Sequence, residues 1–218
     1  MKWLLRFYRS SVGKKILMAV TGLVWVVFVI EHMAGNLLAL KSPEAINRYA
    51  AFLKTSDEVL WTFRIGLFVA LVVHVDSMVK LTALNWTSRP ARYAKVSYQA
   101  ASPAARTMRW GGVFLLLWLV YHILHFTTGH LHPDFSHTDV FNNVSVAFQS
   151  GGKVASYAAA MVALAFHLYH GVWSMFQTAG ANHPHVEKPR RWLATAIAIL
   201  IPVGFLTVPF AIFFGIIG

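Results

Sequence analysis

The sequence predicts an all-α integral membrane protein: a bundle of five transmembrane helices with the N-terminus in the cytoplasm and the C-terminus outside. The 218 residues are 57% hydrophobic and only 12% charged, which is typical of membrane proteins. The apolar residues form five segments, each close to the ~20 residues that a bilayer core requires. The basic residues concentrate in alternate connections, which sets the orientation.

The five predicted spans run roughly over residues 16–40, 60–84, 110–130, 153–178 and 193–216. The Gly, Thr and His residues inside them are tolerated where membrane helices pack on neighbours. No linker, low-complexity segment or clear repeat divides the chain, so we expect one membrane domain over residues 1–218. The basic N-terminus has no apolar run followed by a small-residue cleavage site, so we expect no removable signal peptide.

The orientation follows from the 19 basic residues, most of which lie in the N-terminal tail and in the second and fourth loops. Glu187 is the one acidic residue there, so the positive-inside rule places these segments in the cytoplasm. The formal charge of +11 is then explained by cytoplasmic loops of a protein in the inner membrane, not by nucleic-acid binding. The absence of cysteine excludes disulfides, Cys-ligated iron–sulfur clusters and covalently attached haem.

Four spans each carry a histidine near mid-span, namely His32, His74, His122 and His167. Ionisable residues inside a bilayer are rare and costly, so each of them is a candidate functional residue. Imidazole is a ligand for haem iron, and two haem b groups with two axial histidines each would use all four. The alternative is a set of hydrogen-bonded residues at helix interfaces.

Depth along the spans suggests how the histidines pair. At ~1.5 Å rise per residue, His32 and His122 fall toward the outer side and His74 and His167 toward the inner side. We therefore expect His32 with His122 at an outer haem and His74 with His167 at an inner one. Spacing alone leaves open which member of His122 and His125, or of His167 and His170, binds iron, because residues at i and i+3 share a helix face. The other member could bind a haem propionate or a quinone carbonyl.

Gly22 and Gly112 each lie ten residues before a candidate ligand, near the same face of the helix. They could give clearance to a second flat cofactor, or they could serve ordinary small-residue helix packing. Asp76 and Lys80, at i and i+4, could neutralise each other, or Asp76 could relay protons. Glu31 points about 100° away from His32 on the helix and could line a water-accessible pocket or reach the interface.

The remaining histidines lie in loops or at span ends, where we expect them to be simply solvated: His130, His132, His137, His183 and His185. A metal site from His130 and His132 is a weak alternative, because zinc sites use three or four ligands.

A series of motifs follows in order along nearly the whole chain to about residue 185, namely Ser11–Gly22, His32–Asn36, His74 with Asn85, Arg89–Tyr93, Arg106–Met108, His122–Phe126, Phe166–Ser174 and Gln177–Thr178. With these motifs in this order, the sequence resembles the di-haem cytochrome b anchor subunit of succinate:quinone oxidoreductases (succinate dehydrogenase or fumarate reductase). By this resemblance, His122 and His167 match the ligand positions, whereas His125 and His170 match variable ones. The family pairs the first helix with the third and the second with the fourth.

The resemblance implies that a flavoprotein subunit and an iron–sulfur subunit dock on the cytoplasmic face. This chain would pass electrons between the iron–sulfur subunit and a membrane quinone, with menaquinone favoured over ubiquinone. Some family members carry a glutamate for proton transfer at the position of Ala165, so the resemblance does not extend to that proton route. The direction of the reaction, the quinone site and a higher oligomer of the whole complex stay open.

The charged candidates follow from this expectation, although each could equally be a solvated surface charge. Candidate propionate partners are Arg89, Arg92, Arg106 and Arg109 on the inner side, and Arg64 and Lys54 on the outer side. Candidate proton-transfer carboxylates on the outer side are Glu31, Glu44, Asp57 and Glu58.

Two rival functions are weighed against this one. The first is the cytochrome b subunit of a membrane hydrogenase or formate dehydrogenase, against which the Arg89–Tyr93 and Phe166–Ser174 stretches argue. The second is a haem-free transporter that uses the histidines and Asp76 as a proton path. Such a chain is expected to show repeated halves with broken helices, and no repeat is evident.

Overall fold

A computed structural model describes residues 2–88 and 101–218, and the secondary structure of this part of the chain is helical. The helices are α1 (Lys2–Arg9), α2 (Ser11–Leu37), α3 (Pro43–Leu53), α4 (Asp57–Thr87), α5 (Pro103–Phe126), α6 (Val140–Phe148), α7 (Gly151–Thr178) and α8 (Pro184–Phe213), with a short 3-10 turn at Leu38–Leu40.

Five of these helices, α2, α4, α5, α7 and α8, are long and apolar enough to cross a membrane, which confirms the predicted all-α bundle. Their ends differ from the predicted span edges because capping side chains, and not hydropathy, decide where a helix begins. Ser102 illustrates this, since its hydroxyl accepts a hydrogen bond from the amide of Ala105 and Pro103 occupies the first turn. Helix α5 therefore begins seven residues earlier than residue 110 and ends at Phe126.

The long helices pack in a definite order. Helix α2 packs on α4, α5 packs on α7, and α8 packs on both α7 and α2. In contrast, the backbones of α2 and α5, and those of α4 and α7, make at most slight contact within the described residues. These two pairs of helices are the ones across which the membrane histidines face each other.

Helices α3 and α6, with the 127–139 loop, form a compact cap over one end of the bundle. Apolar residues of the cap join those of α7 and α8 in one buried cluster that includes Ile46, Phe148, Tyr157 and Ile212. The Asn47 side chain ties α3 to α6 by donating to Asp139 and accepting from the amide of Phe141, both at 2.9 Å. Both helices lie outside the five predicted spans, although Ser42-Pro43-Glu44 is a typical helix start.

The approach of α3 to α2 depends on Gly35, because a Cβ at this position would overlap the ring of Tyr49. We expect Gly35→Ala to destabilise the detergent-solubilised protein by about 1–3 kcal/mol through overpacking. The matched control is Gly66→Ala, where a Cβ would meet nothing within 4 Å. Thermal unfolding of both variants measures the difference, and equal effects of the two would contradict this account of the packing.

Candidate functional site

The structure brings the four mid-span histidines together as two pairs. The ring centroids of His32 on α2 and His122 on α5 lie 6.0 Å apart, and those of His74 on α4 and His167 on α7 lie 6.2 Å apart. We call these the first pair and the second pair. Each pair joins two helices that do not pack directly on each other.

The separation within each pair suits two ligands on opposite sides of one metal ion. With a bond of about 2.0–2.1 Å from the metal to each imidazole nitrogen and the ring centroid roughly 1 Å behind that nitrogen, two opposed rings have centroids about 6 Å apart. Histidines are common metal ligands because neutral imidazole presents an unprotonated nitrogen. The centroid distance in each pair is therefore compatible with two histidines that bind one metal centre from opposite sides.

The two pairs lie at different depths. A Cβ at Gly22 of α2 would lie 3.4 Å from Cε1 of His74, so Gly22 marks the level of the second pair on α2. On α5, a Cβ at Gly112 would lie 3.8 Å from Cε1 of His167, so Gly112 also marks the level of the second pair. Because His32 and His122 each lie ten residues further along their helices, the two pairs are separated by about 15 Å along the bundle.

Aromatic rings hold the first pair. Phe28 stacks on His32 with centroids 5.4 Å apart, and Trp118 stacks on His122 at 5.2 Å. Both aromatic residues lie four positions before the histidine, one turn along the same helix face. Phe205 of α8 contacts His32 at 5.6 Å. These contacts restrict the rotation of both imidazoles.

One histidine in each pair has a hydroxyl at Nδ1. Thr21 Oγ1 lies 3.2 Å from Nδ1 of His74 and donates its own proton to the Leu17 carbonyl at 2.7 Å. With that bond formed, the Thr21 oxygen is left to accept from an Nδ1–H of His74, and in this tautomer Nε2 is unprotonated and able to bind a metal. In the first pair, the Tyr157 hydroxyl lies 3.2 Å from Nδ1 of His122.

The doubled histidines have different surroundings. His125 is fully buried, with Nδ1 2.9 Å from the Tyr157 hydroxyl and with Nε2 unpartnered in the described part of the chain. His170 is partly exposed, and its buried Nδ1 likewise has no hydrogen-bond partner there. Neither lies in one of the two opposed pairs, so their roles as propionate or quinone partners stay predictions. Beside the second pair, an apolar groove of about 210 Å³ between α5 and α7 reaches from Met108 to His167.

The basic candidates are placed mostly at the ends of the helices. Lys54 donates to the carbonyl of His137 at 2.7 Å, so it ties α3 to the loop of the cap. Arg64 lies over the ring of Trp61 at 5.1 Å, and Arg109 lies over that of Trp86 at 5.6 Å. Arg106 lies in the first turns of α5. Arg89 and Arg92 lie outside the described residues.

The carboxylate candidates are dispersed. Asp76 forms an ion pair with Lys80 at 2.7 Å, which is one of the two roles that its i, i+4 spacing suggested. Asp76 also accepts a hydrogen bond from the Tyr8 hydroxyl at 2.6 Å. Glu31 is exposed on α2. The exposed carboxylates Glu44, Asp57 and Glu58 lie in the first turns of α3 and α4. A favourable interaction with the helix dipole explains acidic residues at such positions.

The expectation that all loop histidines are solvated is wrong for His132. Its ring is buried, with Nε2 2.8 Å from the Asn143 carbonyl and Nδ1 2.5 Å from that of Pro133. The ring also stacks on His125 at 5.2 Å. The folded cap causes this burial, whereas His130, His137, His183 and His185 are exposed. The described residues contain no group of three or more histidine, aspartate or glutamate side chains placed to hold a metal ion.

Sequence reasoning missed the two hydroxyl partners, Thr21 and Tyr157. Thr21 directly precedes Gly22, and this position next to a candidate cofactor-facing glycine could have drawn attention to it. Tyr157 lies 35 residues from His122, and no local pattern connects them.

Comparisons of the chain with protein-family models, with curated proteins and with solved structures found no match in any of the three. The class that the fold defines is therefore a multi-pass helical membrane protein.

Asp139 caps α6 and supplies a pH test of the cap. Hydrogen bonds from the Asn142 amide and from the Asn47 side chain hold the pKa of the Asp139 carboxyl below its ordinary value of 3.8. A lowered folded-state pKa stabilises the protein above the ordinary value, and this contribution is lost as the pH falls through the lowered pKa. We expect Asp139→Ala to destabilise α6 by about 1 kcal/mol at pH 7, with the difference from the wild type shrinking below pH 3.8.

Hydrogen exchange of the α6 amides in both proteins measures this effect. The control is Thr138→Ala, because Thr138 is exposed and its hydroxyl has only a 3.4 Å contact with Ser136. An unchanged difference between pH 7 and pH 3 would show that the Asp139 carboxylate does not carry the effect.

Proposed function

We propose that this chain is the di-haem cytochrome b anchor of a succinate:quinone oxidoreductase, in which it passes electrons between a partner iron–sulfur subunit and membrane quinone. The observation that carries the proposal is the geometry of the first and second pairs. Within each pair the two imidazole centroids lie 6.0 or 6.2 Å apart, and the two histidines come from helices that do not pack directly on each other. The resemblance of the motifs that contain these histidines supplies the particular complex.

Several residues fit a flat metal-bearing cofactor at each pair. His32 and His122 would hold one haem b, and His74 and His167 the other. Gly22 and Gly112 present no side chain toward the second pair, so the space beside His74 and His167 is kept clear. When bound, the haems supply one-electron redox chemistry at two depths of the membrane.

The residues of this chain orient and enclose the two centres. By accepting from Nδ1–H of His74, Thr21 would hold the ring so that Nε2 is the free nitrogen, and the stacked rings of Phe28 and Trp118 hold the first pair. The apolar helices exclude water, which limits proton exchange at the ring nitrogens. The membrane quinone, with menaquinone favoured, would react at a position that the resemblance leaves open.

The basic cytoplasmic segments suit the docking of the flavoprotein and iron–sulfur subunits. Exposed Lys188 and Arg191 near the start of α8, with the basic residues of α1, give this face positive charge. The orientation rests on the positive-inside rule and places the cap on the outer side. Under this orientation the first pair is the outer centre and the second pair the inner one.

The transporter alternative has less support from the contacts. A proton path through Asp76 needs a carboxylate free to exchange protons, but Asp76 is bound to both Lys80 and Tyr8. The histidines lie as opposed pairs and do not form a continuous chain from one face to the other.

The proposal predicts two b-type haems per chain. Haem extraction and a reduced-minus-oxidised optical spectrum of the complex, purified without stripping, give this number per mole of chain. His74→Ala and His167→Ala should each lose the haem of the second pair and retain the other, since each variant leaves only one of the two histidines that would hold that haem. Exposed His137→Ala is the control and should retain both.

A complex without haem would overturn the cytochrome assignment. Loss of only the first pair's haem from His74→Ala would overturn the pairing.

The orientation has a separate test, because the chain contains no cysteine and a single introduced thiol has no background. His130→Cys in the cap should react with a membrane-impermeant thiol reagent in intact spheroplasts. His185→Cys, at the start of α8, should react only after the membrane is permeabilised. Both positions are exposed, so the membrane and not burial controls the labelling. The opposite pattern would reverse the orientation.

A further inference from the structure

The Tyr157 hydroxyl lies between two histidines of α5. It is 3.2 Å from Nδ1 of His122 and 2.9 Å from Nδ1 of His125. The Tyr157 ring is buried and is held edge-on by Trp118 at 4.9 Å and by Phe148 at 5.0 Å. The position of the hydroxyl is therefore fixed by packing on both sides.

The number of protons on the three side chains determines which group donates and which accepts in the two hydrogen bonds of Tyr157. A phenol has one proton to donate, so Tyr157 can donate to only one of the two Nδ1 atoms and must accept from the other. If Nε2 of His122 binds a metal, Nδ1 of His122 carries the ring proton and donates to the Tyr157 oxygen. Tyr157 then donates to Nδ1 of His125, whose own proton lies on the buried Nε2.

We infer that Tyr157 is a positioning residue that sets the tautomer of His122 and joins it to His125 in a directed hydrogen-bond chain. This inference rests on the proposed function, because a metal centre at the first pair fixes the direction. Donation to His125 makes the Tyr157 oxygen a stronger acceptor, since hydrogen bonds in a chain polarise one another. His122 thereby becomes a more electron-donating ligand and stabilises the oxidised state of the centre that it holds.

The second pair provides an internal comparison. In the second pair, the Thr21 hydroxyl would accept from His74 in the same way, but Thr21 donates its own proton to the Leu17 carbonyl of the same helix. It has no connection to Tyr157, which lies at the level of the first pair. A change at Tyr157 should therefore act on one centre alone.

The test is the redox titration of both haems in the complete complex. In Tyr157→Phe we expect the midpoint potential of the first pair's haem to rise, because the Nδ1–H of His122 loses its acceptor. The expected change is about five- to tenfold in the reduced-to-oxidised ratio at a fixed potential, up to about 59 mV for a one-electron couple. The haem of the second pair should keep its potential. The control is Tyr121→Phe, which removes a hydroxyl from a ring packed on His125 and Tyr157.

Variants of His125 test the direction of the chain. His125→Leu removes the acceptor of the Tyr157 proton, so the same potential should rise by less than in Tyr157→Phe. His125→Asn restores an acceptor in the side-chain amide oxygen and should return the potential toward the wild-type value. Because His125 acts through Tyr157, the double variant Tyr157→Phe/His125→Leu should match Tyr157→Phe alone.

Each outcome decides the inference. A shift of both haems, a shift of neither, or full additivity in the double variant overturns it. If Tyr157→Phe fails to assemble, the contrast between His125→Leu and His125→Asn decides, because equal potentials in these two variants also overturn it. Failure of the proposed function would be seen earlier and separately, as a wild-type complex without two b-type haems.

Discussion

The architecture depends on one constraint: imidazole rings inside an apolar bundle must find partners in the protein or in a ligand, because the hydrocarbon offers no water. The four mid-span histidines lie between helices that do not pack directly on each other, while α2 with α4 and α5 with α7 supply the close helix packing. Within the described residues, Nδ1 of His74 and of His122 each has a hydroxyl partner, whereas the buried Nδ1 of His167 has none. The same arrangement keeps two helix interfaces wide at the depth of the histidines. This arrangement explains why the histidines lie at these interfaces although polar side chains are energetically costly inside a membrane.

The two histidine pairs differ in how they are enclosed. Aromatic rings four residues earlier on the same helices stack on the first pair, whereas glycines of the neighbouring helices face the second. The hydrogen-bond partners differ as well, a phenol that bridges two histidines at the first pair and a threonine bound to its own helix at the second. Burial and the hydrogen bonds of a ligand tune a metal centre, so under the proposed function these two chemically identical histidine pairs would have unequal properties.

The sequence predicted the elements whose signal is local and left out those that depend on distant contacts. Hydropathy located all five long helices, because a span is a continuous property of about twenty residues. The helix ends were misplaced where a capping serine such as Ser102 decided them. Helix α3 has a local start signal in Ser42 and Pro43, but its eleven residues are too short to register as a membrane span. The burial of His132 and the role of Tyr157 arise from the cap and from contacts across helices, which no local pattern encodes.

The cap determines the surroundings of His125. It buries His132 against His125, with both ring nitrogens of His132 facing backbone carbonyls. Nε2 of His125 is itself buried and has no acceptor within the described residues. A proton that reached His125 would therefore find no onward partner in this part of the chain. The row of His122, Tyr157 and His125 is accordingly suited to orienting the His122 ring and not to conducting protons within the described residues. Under the proposed function, protons for a quinone would have to follow another route.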